Sequence, residues 1–159
     1  MRQSNGQRVI LKHLFQEYPS AEETARFQRE YHLLQQGAGP GILVAYDLLP
    51  YEHSWVMVLE DFGGQSLSQH FEKKTIHIPL FLSLTIRMTE ILSRVHQQGI
   101  LHKDLNPANF IWNAETDALK LIDFGIASQR VWQKQESGPD LLEGTVAYLA
   151  PEQSGQMNR

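Results

Sequence analysis

The chain contains no cysteine. Disulfides and thiolate-held metals are therefore excluded, and a reducing, cytoplasmic setting is the expected one. It also has no long apolar run. The longest uncharged stretch, "TIHIPLFLSLTI" at residues 75–86, falls short of the roughly 20 residues that span a bilayer. The opening "MRQSNGQRVI" has no apolar signal core, so no membrane insertion is expected of this segment. Positive charge is not in excess: 14 Lys and Arg against 18 Asp and Glu give a net charge of −4. Without a basic stripe, nucleic acid and anionic membrane are not expected as partners. Repeats and low-complexity tracts are absent as well. What remains is 159 residues, 42% apolar and 20% charged, the balance of one soluble globular domain.

Along that chain, "RVILKHL" at 8–14 reads as a strand. A helix is expected from about 20 to 36, opened by the capping-box pair Ser20 and Glu23 and stopped by Gly37. Phe27, Glu30 and Leu34 fall on one face of it. An acid on an apolar face asks for a partner cation. "ILVAYDLL" and "SWVMVLEDF" read as two strands with "PYEH" as their turn, and "GGQSL" as loop before a short helix near 66–73. The clearest helix is 79–98, where Phe81, Leu84, Met88, Ile91 and Val95 recur at helical spacing between Pro79 and Gly99. "NFIW" and "LKLID" are short strands around the turn "NAETDA", and the tail is polar and mostly loop. A composition shift near 62–65 separates a strand-rich first part from a helix-led second part.

Between that long helix and "NFIW" stands "ILHKDLNPANFIW", residues 100–112, with His102, Lys103, Asp104, Asn106 and Asn109 in eight positions. Each polar residue has a plain reading alone. Lys12 is a solvated strand lysine, Glu30 an ordinary helix-surface partner of Arg26, Asp104 a turn cap, Asn109 a loop amide, Asp123 a turn aspartate and His102 a satisfied core histidine. Their order changes that. V-I-L-K is followed by a helical Glu 18 residues on, then H-K-D-L-N-P-A-N, then D-F-G, then A-P-E. With Asp104 and Asn109 five apart, the sequence resembles the protein kinase family of the serine/threonine type, from about residue 8 to the end. "LEDFGGQSL", "HKDLNPAN" and "EGTVAYLAPEQSGQMNR" are similar to a narrower group within it, the kinase domains at the front of large bacterial multi-domain sensor proteins.

The resemblance implies an α+β, two-lobed kinase-like fold, present in part: an N-lobe portion at 1–62 and a C-lobe portion at 63–159 that ends after A-P-E. It implies ATP and Mg²⁺ as cofactors, a protein substrate, and downstream signalling domains of a larger chain as partners. Phosphoryl transfer needs a highly charged group positioned, neutralised and presented to a hydroxyl. By resemblance, Lys12 holds the α- and β-phosphates with Glu30 as its ion-pair partner. Asp123 and Asn109 take magnesium, as hard oxygen ligands. Asp104 orients the acceptor hydroxyl and takes its proton. Leu59, Glu60 and Phe62 resemble the linker whose backbone meets the adenine edge, and Gly144-Thr145 the segment that supports an extended peptide. His102 is expected as a hydrogen-bonding post, Phe124 as an inward anchor and Glu152 in a structural ion pair.

Three departures from the pattern shape the expectation. Asn106 stands where these kinases have a lysine on the γ-phosphate, which removes a charge-assisted bond of about 1.5–3 kcal/mol. Lys103 replaces an arginine and lacks its bidentate fork. No G-x-G-x-x-G precedes Lys12, so the chain alone is expected to be a weak or inactive enzyme. A pseudokinase or inactive fragment acting as a binding module, and a small-molecule phosphotransferase of aminoglycoside-kinase kind, are the competing readings. "GTVAYLAPE" speaks against the second.

Overall fold

The computed structural model describes residues 6, 8–14, 18–72, 74–129, 145–148 and 150. Gly144, Pro151 and Glu152 lie outside them, and with them the expected ion pair of Glu152 and half of the Gly144-Thr145 pair.

The first half is a three-stranded antiparallel sheet with one helix. Strand β1, Val9–His13, pairs with β3, Ser54–Glu60, which pairs on its other side with β2, Ala45–Tyr51. In this register Lys12 lies opposite Met57 and Val9 opposite Glu60. Helix α1, Ala21–Gln36, begins as its sequence dictates. The Ser20 hydroxyl accepts the Glu23 N–H, and the Glu23 carboxylate accepts the Ser20 N–H. Its buried stripe is Phe27, Glu30, Leu33 and Leu34, so the acid does face inward.

The β2–β3 hairpin differs from expectation at both ends. Its turn is only Glu52-His53, with Glu52 at φ 52°, and Pro50 and Tyr51 remain in the strand. β2 is an edge strand, where a proline's missing N–H costs no ladder bond. Residues 42 and 43 leave this sheet instead, whereas the Val44 carbonyl still accepts the Glu60 N–H of β3. Leu43 donates its N–H to the Leu121 carbonyl and Leu121 donates to Gly41, which ties the linker after α1 to the other half of the molecule. Gly41 has φ 86°, and a Cβ there would lie 2.3 Å from Ile91. Only glycine lets this linker lie against the long helix.

In the second half, helix α2, Leu67–Phe71, is shorter than expected and is capped by Ser66. Helix α3 runs Ile78–Gln97, with Pro79 in its first turn. Leu84, Ile91 and Val95 are its buried residues, whereas Phe81 is half exposed and faces an open apolar groove. The stretch read as loop contains a short strand β4, Gln65–Ser66, which pairs with β6, Phe110–Asn113, and β6 pairs with β7, Ala118–Leu121. Two further short strands were not expected: β5, Ile100–Leu101, pairs with β8, Ser128–Gln129. Two-residue strands have no periodicity to read and exist only as pairs. The result is a mixed α+β fold, and residues 61–64 bridge the β3 and β4 parts. Among the described residues, no helix is long and apolar enough to cross a membrane.

Candidate active site

β1 and α1 bring the first two candidates together. Lys12 projects from β1, and its Nζ lies 2.6 Å from Glu30 Oε1. The same Nζ lies 3.2 Å from Asp123 Oδ1, 111 positions later in the chain. The plain reading of Glu30 as the partner of Arg26 does not hold; Arg26 turns away and donates its Nε–H to the Gly125 carbonyl at 2.8 Å. Burial alone would lower the Lys12 pKa, but the Glu30 and Asp123 carboxylates outweigh it and hold the ammonium charged above the usual lysine range. Burial pushes the Glu30 carboxyl up, against the pull of Lys12.

The segment after β5 builds the second cluster. Residues 107–109 form a single 3-10 turn. Asn106 caps it: its Oδ1 accepts the Ala108 N–H at 2.8 Å. This places Asn109 beside Asp104, and Asn109 Nδ2 donates to the Asp104 carbonyl at 2.8 Å and to Asp104 Oδ2 at 2.9 Å. The other carboxylate oxygen of Asp104 accepts both the Thr145 N–H, at 2.8 Å, and its hydroxyl, at 2.7 Å. Asn106 Nδ2 donates to Thr145 Oγ1 at 3.1 Å. Burial tends to raise the Asp104 pKa, but the bonds from Thr145, Asn109 and Asn106 dominate and hold it below the usual range. Asp104 is therefore ionised near neutral pH.

His102 supports both clusters from beneath. It is 1% exposed. Its Nδ1 accepts the Asp104 N–H at 3.3 Å, so Nε2 carries the hydrogen and donates to the Ile122 carbonyl at 2.9 Å. Burial lowers its pKa and keeps it neutral. Phe124, also 1% exposed, packs edge-on against it with ring centres 4.9 Å apart. Asp123 next to it adopts φ 61°, a left-handed backbone that turns its carboxylate toward Lys12.

Asn109 spends its amide hydrogens on Asp104, which leaves its carbonyl oxygen to serve as a metal ligand. Asp123 is half exposed and binds Lys12 and the Gly125 N–H through one oxygen. Among the described residues, no group of three or more acidic or histidine side chains could enclose a metal. Two hard oxygens without a closed cage suit magnesium, which takes one or two protein ligands and completes its shell with phosphate and water. The donor set fits that ion.

At the linker between the two parts, Glu60 does more than expose backbone. Its carboxylate forms an ion pair with Lys120 and accepts the Val44 N–H at 2.8 Å. Lys120 Nζ also lies 5.3 Å above the Phe62 ring. Asn113 Nδ2 donates to the Phe62 carbonyl at 2.7 Å. Lys120 and Asn113 escaped the sequence reading. The signal was present for Lys120, a lysine between the apolar positions Leu119 and Leu121 of a short strand. Nothing in the sequence marks Asn113.

Residues 1–158 match the protein kinase domain family, and the chain belongs to it. It is 33% identical to the probable serine/threonine-protein kinase PknB of Lactococcus lactis over 84% of this chain and 21% of that protein. It is 30% identical to serine/threonine-protein kinase pkn3 of Myxococcus xanthus over 92% of this chain and 28% of that protein. It is also 30% identical to the DNA damage-responsive serine/threonine-protein kinase RqkA of Deinococcus radiodurans, over 94% of this chain and 23% of that protein. The chain thus spans between 21% and 28% of the length of these relatives.

Proposed function

We propose that this domain transfers the terminal phosphoryl group of ATP to serine or threonine hydroxyls of a protein substrate, within a larger signalling chain in the cytoplasm. The observation that carries the reading is the meeting of Lys12, Glu30 and Asp123, which comes from sequence positions 111 apart at the extremes.

Each residue has a part. Lys12, kept charged and aimed by Glu30, neutralises the α- and β-phosphates. Asp123 and Asn109 supply the oxygens for Mg²⁺, which offsets charge on the phosphates when bound. The linker backbone at Glu60 and Phe62 meets the adenine edge, held in place by Lys120 and Asn113. Asp104 accepts a hydrogen bond from the substrate hydroxyl. As the hydroxyl oxygen bonds to the γ-phosphorus, the bond from that phosphorus to the β–γ bridging oxygen breaks and ADP leaves. The hydroxyl proton passes to Asp104. Thr145 and Asn106 fix the orientation of the Asp104 carboxylate.

The test is transfer from labelled Mg²⁺-ATP to a generic Ser/Thr protein substrate by the full-length protein. Labelled phosphoserine or phosphothreonine supports the reading, provided that Asp104→Asn removes it. ATP binding without transfer, in wild type and variant alike, would establish a binding module instead.

A further inference from the structure

Helix α1 presents a second cation toward the cleft, one turn before Glu30. Arg26 donates Nε–H to the Gly125 carbonyl at 2.8 Å, and its two terminal nitrogens make no other bond among the described residues. It lines a cleft of about 300 Å³ with Asp104, Asp123, Gly125, Ile126 and Thr145. The candidate proton acceptor, a candidate metal ligand and a guanidinium edge with no other bond among the described residues therefore share one space.

Charge makes this edge consequential. The cleft wall carries two carboxylates, and a phosphoryl group entering it adds more negative charge. Lys12 is already divided between Glu30 and Asp123. Position 106 offers no charge. The Asn106 nitrogen is engaged by the Asp104 carbonyl and Thr145, and its oxygen by the Ala108 N–H. Arginine suits the vacant role, because a planar guanidinium anchored through Nε still has a two-donor edge for a pair of phosphoryl oxygens.

We propose that Arg26 is the second cation of the transfer cleft, contacting the tetrahedral phosphoryl group as it moves from ATP to the acceptor. This rests on the kinase reading above. The anchor on Gly125 pre-sets the guanidinium, so little reorganisation accompanies the charge shift.

The test separates charge from hydrogen bonding. In the full-length protein, Arg26→Gln retains a donor for Gly125 but loses the charge, and Arg26→Lys retains the charge. The expected result is a fall in kcat of about tenfold or more for Arg26→Gln, an order below the ~10² that losing a buried transition-state donor costs, because Arg26 is exposed. KM for ATP and the melting temperature should stay near wild type, and Arg26→Lys should recover most of the rate. Arg26→Gln should also weaken binding of Mg²⁺-ADP with aluminium fluoride, a mimic of the moving phosphoryl group, while leaving Mg²⁺-ADP alone unaffected. Equal losses in both variants, or none, would overturn the proposal and make Arg26 a structural clamp on Gly125. So would a loss that vanishes on phosphatase treatment, since the phosphoryl group would then belong to a modified side chain of the protein itself. Should wild type transfer no phosphate while Mg²⁺-ADP binds, the kinase reading fails and the role of Arg26 falls with it, whereas transfer by wild type with Arg26→Gln unaffected overturns the role of Arg26 alone.

Discussion

Lys12 Nζ lies 2.6 Å from Glu30 Oε1, and that carboxylate is 5% exposed at its side chain. Lys12→Met should therefore do more than weaken ATP binding. It strands a buried acid whose pKa burial already raises. Such a group supports the fold only while protonated, and its contribution is lost as pH rises through its raised folded value. The variant should match wild type most closely below the ordinary glutamate value of 4.5 and lose melting temperature relative to it as pH climbs. Lys12→Met with Glu30→Gln should remove the added pH dependence. Thermal melts across pH 4–8 check this; a deficit that does not change with pH would show the carboxylate finds another partner.

Asp123→Ala should abolish the Mg²⁺ dependence of nucleotide binding. The residue supplies one of two candidate metal oxygens and also a contact to Lys12. Calorimetric titration of ATP with and without Mg²⁺ measures this directly. Unchanged Mg²⁺-ATP affinity would remove Asp123 from the metal site.

Asp104→Asn should separate chemistry from binding. The amide is similar in shape but a far weaker proton acceptor, so turnover should fall about 10²–10⁴-fold with ATP affinity close to wild type. Loss of affinity in step with turnover would mean that Asp104 acts by holding the loop together.

Asn106 has a part that its sequence position alone does not reveal, since it caps the 3-10 turn that carries Asn109. Asn106→Ala should cost about 1 kcal/mol of stability, as lost caps do. It should also slow turnover through Thr145. Asn106→Lys loses the same cap but brings an ammonium toward the phosphoryl group, so it should melt lower while retaining transfer. A Lys variant as stable as wild type would show that the cap contributes nothing.

His102 gives a separate acid-side signature. Burial depresses its folded pKa below the ordinary 6.5. Its contribution to stability is therefore complete above that value and is lost as pH falls through the folded pKa, because the unfolded chain takes up the proton first. Wild type should lose melting temperature below about pH 6.5. His102→Gln, which cannot titrate, should lose less over the same interval. Parallel curves would place the acid sensitivity elsewhere.

Much of this protein is local chemistry that the sequence determines by itself. Ser20 and Glu23 cap α1 because the two groups lie within one turn, and the i, i+3, i+7 spacing alone turns Glu30 inward with Phe27 and Leu34. The Asp104–Asn109 contact is likewise short in sequence and closed by the 3-10 turn. The long helix is set by its own apolar period and its proline and glycine ends. Tertiary structure decided what depends on partners distant in the chain. Strands β5 and β8 have two residues each and form only against one another. Glu60 looked like a linker residue judged by its backbone, yet its carboxylate is tied to Lys120, 60 positions away. Arg26 was equally able to pair with Glu30 along the helix. The fold gave Glu30 to Lys12 and sent Arg26 to Gly125, because a buried carboxylate takes the cation that β1 lays across it, while the exposed Arg26 reaches the Gly125 carbonyl.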